Sequence, residues 1–516
     1  MDDLRLSETA YLNVPERDKS PSPADSVASS ISDISTLPIT GRRKEHGGVT
    51  SRLLFAIAAG AIGSSFQHGY NTGVTNIPQK QIEAWINETY ARRFAENPDQ
   101  QTISLIFSLL ASIYCVGGMV GALSTAYFAT KFGRKGGLLV NNVFLVIGII
   151  LNVLAKPVGF YELLVIGRFF VGINSGMAAG LTPMYLTEIS PTNLRGAVGT
   201  MYQLILVISI LISNVLGFEN FLGSPTLWPY LFAIPLIPMI FMFATLPLCP
   251  ESPKHLLIVQ GREGLAASGL SWLRGSLEIH DELEEIRQEA ASMSLVPKVS
   301  FMDMWRNPIY RQPMFISVVV MLSQQFSGIN AVIFYSTQIF RDAGLEGMKA
   351  IYATLGMSVI NTAMTIVSLI LVERAGRKTL HLGGLIGMLF TTIILCVSIN
   401  NKGSSFWEFV SVIMVLTFVI MFATGPGSIP WFLVGELFGS SARGMATSIA
   451  VCVNWAANFI VTVGFLPLSN LMGAYVFLIF TVLLAIFSVY TYFKVPETKG
   501  KSAEEIAALF RQKSYQ

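Results

Sequence analysis

Apolar residues run through this chain in long stretches without charge, and the charged residues collect between them. No Asp, Glu, Lys or Arg occurs between Arg52 and Lys80, from Gly196 to Phe218, from Gln312 to Phe340, from Phe409 to Gly435, or from Gly444 to Phe493. A helix needs about 20 apolar residues to cross about 30 Å of hydrocarbon. Each window is therefore long enough for one span, and the last is long enough for two. Windows and breaks together predict twelve spans, near 53–76, 104–129, 138–156, 161–186, 197–217, 228–248, 313–340, 350–372, 379–399, 409–435, 444–466 and 474–493. The last two are expected to be joined by a short turn at 467–473. The expected class is an all-α membrane protein.

Composition agrees: 52% of the 516 residues are hydrophobic and only 13% are charged, against about 25% charged in an ordinary soluble domain. The net charge of +3 matters less than its distribution. One set of alternate loops collects Lys131, Arg134, Lys135, Arg195, Arg374, Arg377, Lys378 and Arg443. The opposite set has little beyond Lys156, Arg341, Lys349 and Lys402, apart from a first loop where Glu83, Glu88, Glu96 and Asp99 outnumber the basic residues. By the positive-inside rule the first set is cytoplasmic, and both termini with it.

Residues 1–50 lack the short apolar core of a signal peptide and are expected to form a disordered cytoplasmic tail, with Ser20-Pro21-Ser22-Pro23 either a phosphorylation target or simply solvated. Cys115, Cys249, Cys396 and Cys452 show no paired spacing and read as buried free thiols. The five histidines lack ligand spacing, so no metal is expected. No cofactor motif and no nucleic-acid partner is indicated. With no phosphate-binding glycine loop and no nucleophile beside a base, an enzyme is not expected.

The chain repeats itself. GRKGG at 133–137 returns as GRKTL at 376–380, a displacement of 376 − 133 = 243. Glu188 and Arg195 return as Glu436 and Arg443, displaced by 436 − 188 = 248, and Pro250-Glu251 returns as Pro496-Glu497, displaced by 496 − 250 = 246. Such duplication is common in transporters built around a central site. The expected organisation is a tail (1–50), an N-terminal six-helix bundle (51–249), a charged cytoplasmic linker with short amphipathic helices (250–311), a C-terminal six-helix bundle (312–495) and a second tail (496–516).

Nine strings in order, GYNTGVTN (69–76), FGRKGG (132–137), GRFFVGINSG (167–176), PMYLTEISPTNLRG (183–196), PESPKHL (250–256), QQFSGINAVIFYST (324–337), ERAGRK (373–378), GPGSIPWF (425–432) and PETKGK (496–501), carry a family resemblance. The chain resembles the sugar-porter branch of the major facilitator superfamily and, within it, the facilitative glucose transporters, over about residues 50–500. The resemblance implies the major facilitator fold, with two bundles rocking about a sugar site at mid-membrane, as a multi-pass protein of the plasma membrane. A hexose is neutral and covered with hydroxyls, so its site calls for uncharged groups that both donate and accept, beside aromatic faces. By resemblance Gln203, Gln324, Gln325, Asn330, Asn361 and Asn458 contact the sugar, with Trp431 and Phe422 flanking it. Asn454, one helical turn before Asn458, joins the same set. The competing reading of such amides is helix-to-helix glue.

Gly328 in the seventh span, and Gly425, Pro426, Gly427 and Pro430 in the tenth, predict broken helices, which either bend as gates or serve only as structural kinks. By family analogy the clusters Arg134, Arg195, Glu188 and Glu251, and Arg374, Arg377, Arg443, Glu436 and Glu497, form a cytoplasmic salt-bridge gate, made when the site faces outward and separated when it opens inward. Simple topology retention by positive charge would use the same residues.

Proton-driven relatives carry an acid in the first span where this chain has Asn71. An amide cannot titrate, so passive uniport is expected, with proton-coupled symport and a non-transporting sugar receptor as alternatives. Only sixteen residues follow Gly500, short for the extension that sensor-like relatives carry. Met321 and Ala423 stand where the most glucose-selective members have hydrogen-bonding residues, which keeps fructose and galactose open beside glucose. Asn87-Glu88-Thr89 is a sequon in the outward loop. A hexose and the lipid bilayer are the expected partners, with a monomer sufficient for transport.

Overall fold

The computed structural model describes residues 48–191, 194–295, 299–501, 505, 506 and 508–510. The tail expected at 1–50, except its last three residues, and the side chain of Arg195 lie outside the described residues. Among those residues nine helical stretches are long and apolar enough to cross a membrane, and one of these, Ala442–Lys494, holds two spans. The shorter Thr200–Leu216 supplies the fifth span. The first runs from Ser51–Gly60 through a π-helical turn at Ala61–Ser65 into Phe66–Gly73. Twelve spans result.

The ends of the spans follow from local chemistry. The Thr50 hydroxyl accepts from Leu53 N at 3.1 Å to cap the first, and Asp99 accepts from Thr102 N at 2.9 Å to cap the second, Gln100–Lys131. Such caps satisfy amide donors that the first helical turn leaves unpaired. The third span, Gly133–Val158, stops at Gly159 in a left-handed conformation, which glycine adopts without a Cβ clash. The second and fourth spans meet through glycines in both helices. A Cβ added at Gly117 would lie 2.1 Å from the Phe169 carbonyl, and one at Gly172 2.2 Å from the Tyr114 carbonyl. Small residues at four-residue spacing permit this backbone approach, and in lipid such packing replaces hydrophobic driving force.

Contacts between the first six spans and the last six run mainly through the second against the eleventh (Ser440–Met472) and the fifth (Arg195–Leu216) against the eighth (Met348–Arg374). Both expected breaks are present. The seventh span divides into Pro308–Phe326 and Ile329–Asp342 at Gly328, where φ is +93°. The tenth divides into Ser405–Thr424 and Ile429–Leu437.

Three local features differ from expectation. The turn expected at 467–473 falls instead at Gly473–Tyr475, because Pro467 stays inside the eleventh helix and the positive φ at Gly473 ends it. A proline costs one helical hydrogen bond, which a membrane helix tolerates when neighbours cover the freed carbonyl. The loop between the first and second spans holds a helix, Gln79–Phe94. The sixth span is interrupted between Trp228–Leu231 and Leu236–Thr245, where Pro229, Pro235 and Pro238 crowd one stretch. Between the two sets of spans lie Glu263–Arg274, His280–Leu295 and Phe301–Arg306, the last opened by a capping box of Ser300 and Asp303. The four cysteines are free thiols, three buried and Cys452 part-exposed.

Candidate functional site

The break at Gly328 places the amides. Gln324 and Gln325 end one helical piece and Asn330 begins the next, so three polar side chains converge where the backbone bends. Gln324 Nε2 donates to the Pro426 carbonyl at 2.9 Å and to the Gly427 carbonyl at 2.8 Å, tying the break of the seventh span to that of the tenth. Its Oε1 accepts from Asn454 Nδ2 at 2.7 Å, and Gln325 Nε2 donates to Asn454 Oδ1 at 3.0 Å. Asn330 donates to Gln325 Oε1. Gln324, Gln325, Asn330 and Asn454 thus form one uncharged network, each side chain less than a tenth exposed.

The remaining candidates surround rather than join it. Asn458 accepts from Thr462 Oγ1 at 3.1 Å. Gln203 is exposed, Asn361 and Phe422 are part-exposed, and Trp431 is 43% exposed. Met321 is buried against Asn454, whose Nδ2 lies 3.5 Å from its sulfur, and Ala423 is buried nearby.

In the first span Asn71 turns its amide inward, donating to the Gln67 carbonyl at 2.8 Å. Its own carbonyl accepts from the buried Arg168 at 2.7 Å, and that guanidinium lies 4.5 Å over the Tyr114 ring. Three residues before Asn71, His68 Nδ1 lies 2.5 Å from the Tyr202 hydroxyl, and its ring stacks on Trp455 of the eleventh span at 5.8 Å. His68, Tyr202 and Trp455 are not among the residues expected from the sequence. A histidine inside an uncharged window is the signal that could have found them, and metal-ligand spacing is blind to it.

Hydrogen bonds between the first six spans and the last six gather at one end of the molecule. Asn76 Nδ2 donates to Ser336 Oγ at 2.7 Å and to the Ile333 carbonyl at 3.1 Å, Asn214 to Ser358 Oγ at 2.7 Å, and Asn470 to Ser104 Oγ at 2.6 Å. Asn87 lies exposed at this end, on the helix Gln79–Phe94.

The opposite end carries the sequence repeat in three dimensions. Arg134 makes a two-pronged pair with Glu188, Nε to Oε2 at 2.8 Å and Nη2 to Oε1 at 2.9 Å. Glu251 accepts from the amides of Arg134 and Lys135, and Ser252 donates to Glu188. In the second set Arg377 pairs with Glu436 at 3.2 Å, Glu497 accepts from Arg377 N at 2.8 Å, and Thr498 donates to Glu436 at 2.5 Å. Each carboxylate at the start of a helix also meets the positive end of its dipole. Arg443 donates to the Phe438 carbonyl, and Arg374 is exposed. Both guanidinium–carboxylate pairs stay inside one set of spans, and they are made while the far end is bonded across the two sets. Buried among the first group, His255 is held below the usual histidine range by burial and then by Arg134, with Glu251 and Glu188 acting the other way.

The chain matches the family described as "Sugar (and other) transporter" over residues 56–510. It is 45% identical over 465 residues to "Solute carrier family 2, facilitated glucose transporter member 1" of Gallus gallus, covering 90% of this chain and 94% of that protein. It is 44% identical over 463 residues to facilitated glucose transporter member 3 of Ovis aries, covering 90% and 93%. The xylose transporter XylE from E. coli, in a partially occluded inward-open conformation, superposes with a TM-score of 0.74 at 23% identity, over 88% of this chain and 100% of that one. At that identity the likeness shows the fold alone.

Proposed function

The chain belongs to the sugar-transporter family, and from that premise we propose that it carries a hexose, D-glucose first, passively across the plasma membrane by alternating access. The carrying observation is the uncharged network of Gln324, Gln325, Asn330 and Asn454 at the junction of two broken spans. Carboxamides both donate and accept, so they exchange bonds among themselves for bonds to sugar hydroxyls at little net cost. Gln203, Asn361 and Asn458 complete the polar wall, and Trp431 and Phe422 supply apolar faces for the C–H surfaces of the ring. Two relatives named facilitated glucose transporters support the same reading.

The end that is bonded across the halves is the outer one, and the end rich in arginine faces the cytoplasm together with both termini. In this conformation the halves are bonded across the outer end while both guanidinium–carboxylate pairs are made, so closure at that end does not require the pairs to separate, contrary to the cycle expected by family analogy. The halves, 51–249 and 312–495, move as bodies about the site. Arg134, Arg195, Glu188 and Glu251, with Arg374, Arg377, Arg443, Glu436 and Glu497, bias that motion from the cytoplasmic face. A monomer suffices, and Asn87 carries a glycan on the outer side.

Uniport is favoured over proton symport because Asn71 bonds within its own helix and beside it stands a buried cation, Arg168, with no carboxylate paired to it among the described residues. Flux of labelled hexoses into liposomes containing the purified protein is the test. Entry that stops at equal concentration and ignores proton ionophores is expected. Accumulation that ionophores abolish would establish symport, and specific hexose binding without flux a receptor.

A further inference from the structure

We propose that His68 is a specificity-determining residue of the sugar site, donating a hydrogen bond from Nε2 to one hydroxyl of the bound hexose. The inference rests on the hexose-transport reading and adds to it a ring nitrogen from the first half.

His68 lies in the closing piece of the first span, Phe66–Gly73, and is part-exposed, whereas Gln67, Gly69 and Tyr70 around it are buried. Its position is fixed from three sides. Its backbone carbonyl accepts from the Tyr114 hydroxyl at 3.2 Å, and from Thr72 Oγ1 at 2.9 Å. The ring lies on Trp455 at 5.8 Å with an interplanar angle of 27°. Nδ1 faces the Tyr202 hydroxyl at 2.5 Å. Trp455 immediately follows Asn454 of the amide network and precedes Asn458, while Tyr202 immediately precedes Gln203. The imidazole therefore touches, in each half, a residue next in sequence to a candidate sugar residue.

The chemistry sets which nitrogen does what. A neutral imidazole carries one N–H and one acceptor nitrogen. A phenol O–H is a stronger donor than an imidazole N–H, and an imidazole nitrogen a stronger acceptor than a phenol oxygen. Tyr202 therefore donates to Nδ1, and the ring proton resides on Nε2, free to donate to a sugar oxygen. Tyr202 is 8% exposed and serves as the positioning residue that holds the tautomer. The resulting donor discriminates, because a sugar lacking the matching hydroxyl leaves Nε2 unpaired.

Competition by D-glucose and by each monodeoxyglucose for labelled glucose uptake into liposomes tests the assignment, using the unaltered protein, His68→Phe and His68→Gln. In the unaltered protein one deoxyglucose should compete more weakly than glucose by about threefold to tenfold, the range of one neutral hydrogen bond. In His68→Phe glucose should lose that same factor while the matching deoxyglucose does not, so the gap closes. His68→Gln, which retains an N–H donor, should recover part of it. Parallel weakening of glucose and every deoxyglucose in both variants, or unchanged discrimination, would overturn the proposal. Absence of hexose uptake by the unaltered protein would instead overturn the transport reading. If His68→Phe does not fold, His68→Gln and Tyr202→Phe decide, the latter being expected to narrow the same gap.

Discussion

Arg134 Nη1 lies 2.8 Å from His255 Nδ1. A guanidinium only donates, so Nδ1 must accept and the imidazole must be neutral. Burial and the neighbouring Arg134 both push the histidine below its ordinary value of 6.5, and Glu251 and Glu188 only partly offset them.

The sign of the pH dependence follows. A histidine depressed in the folded state binds fewer protons there than when unfolded, so its arrangement is fully favourable above the ordinary value and loses stability as pH falls below it. Purified protein should lose thermal stability on acidification from pH near 7.5 to below the ordinary histidine value of 6.5. His255→Phe should flatten that part of the profile. An unchanged slope in the variant would refute the assignment.

Glu188→Gln and Glu436→Gln should differ. The Arg134–Glu188 pair is two-pronged and both side chains are 15% exposed, whereas Arg377–Glu436 is longer, with side chains 20% and 27% exposed. Hydrogen bonds to charged groups contribute about 1.5–3 kcal/mol when shielded and less when wet. The larger drop in melting temperature is expected for Glu188→Gln.

Gln324→Leu removes both donors to the Pro426 and Gly427 carbonyls and a partner of Asn454. Leaving buried groups unpaired costs about 1–3 kcal/mol. Hexose flux should collapse in this variant even where the protein still reaches the membrane, as scored by surface labelling beside uptake.

Gly328→Ala places a Cβ 2.9 Å from the Phe480 ring at φ +93°. A left-handed conformation costs an L-residue about 1–2 kcal/mol, and the ring contact adds to this. Lower thermal stability and slower flux are expected, whereas Gly356→Ala, where a Cβ would meet nothing within 4 Å, should behave as the unaltered protein.

The spans are legible in the sequence because a folded chain in water rarely runs about twenty apolar residues without a charge. The breaks at Gly328 and Gly425–Pro430 are legible for an equally local reason, since glycine and proline act on their own backbone. The cap at Gly133 by Glu251 and its repeat at Gly376 by Glu497 are visible as duplicated strings, but not as helix caps, because capping is a property of folded geometry. The π turn at Ala61–Ser65 depends on packing against neighbouring helices and leaves no local mark. Pro467 marks a turn six residues too early. Within the site, Gln324, Gln325, Asn330 and Asn454 can be named from the sequence, yet their mutual bonding depends on two bent spans meeting. His68, Tyr202 and Trp455 are far apart in the chain and only packing brings them together.

The closure at Asn76, Asn214 and Asn470 is made from amides and hydroxyls, and each such bond is worth only about 1 kcal/mol. A latch that shallow yields to ordinary thermal agitation. The machine consequently needs no fuel to reset when empty, and the direction of traffic is left entirely to whichever compartment holds more cargo.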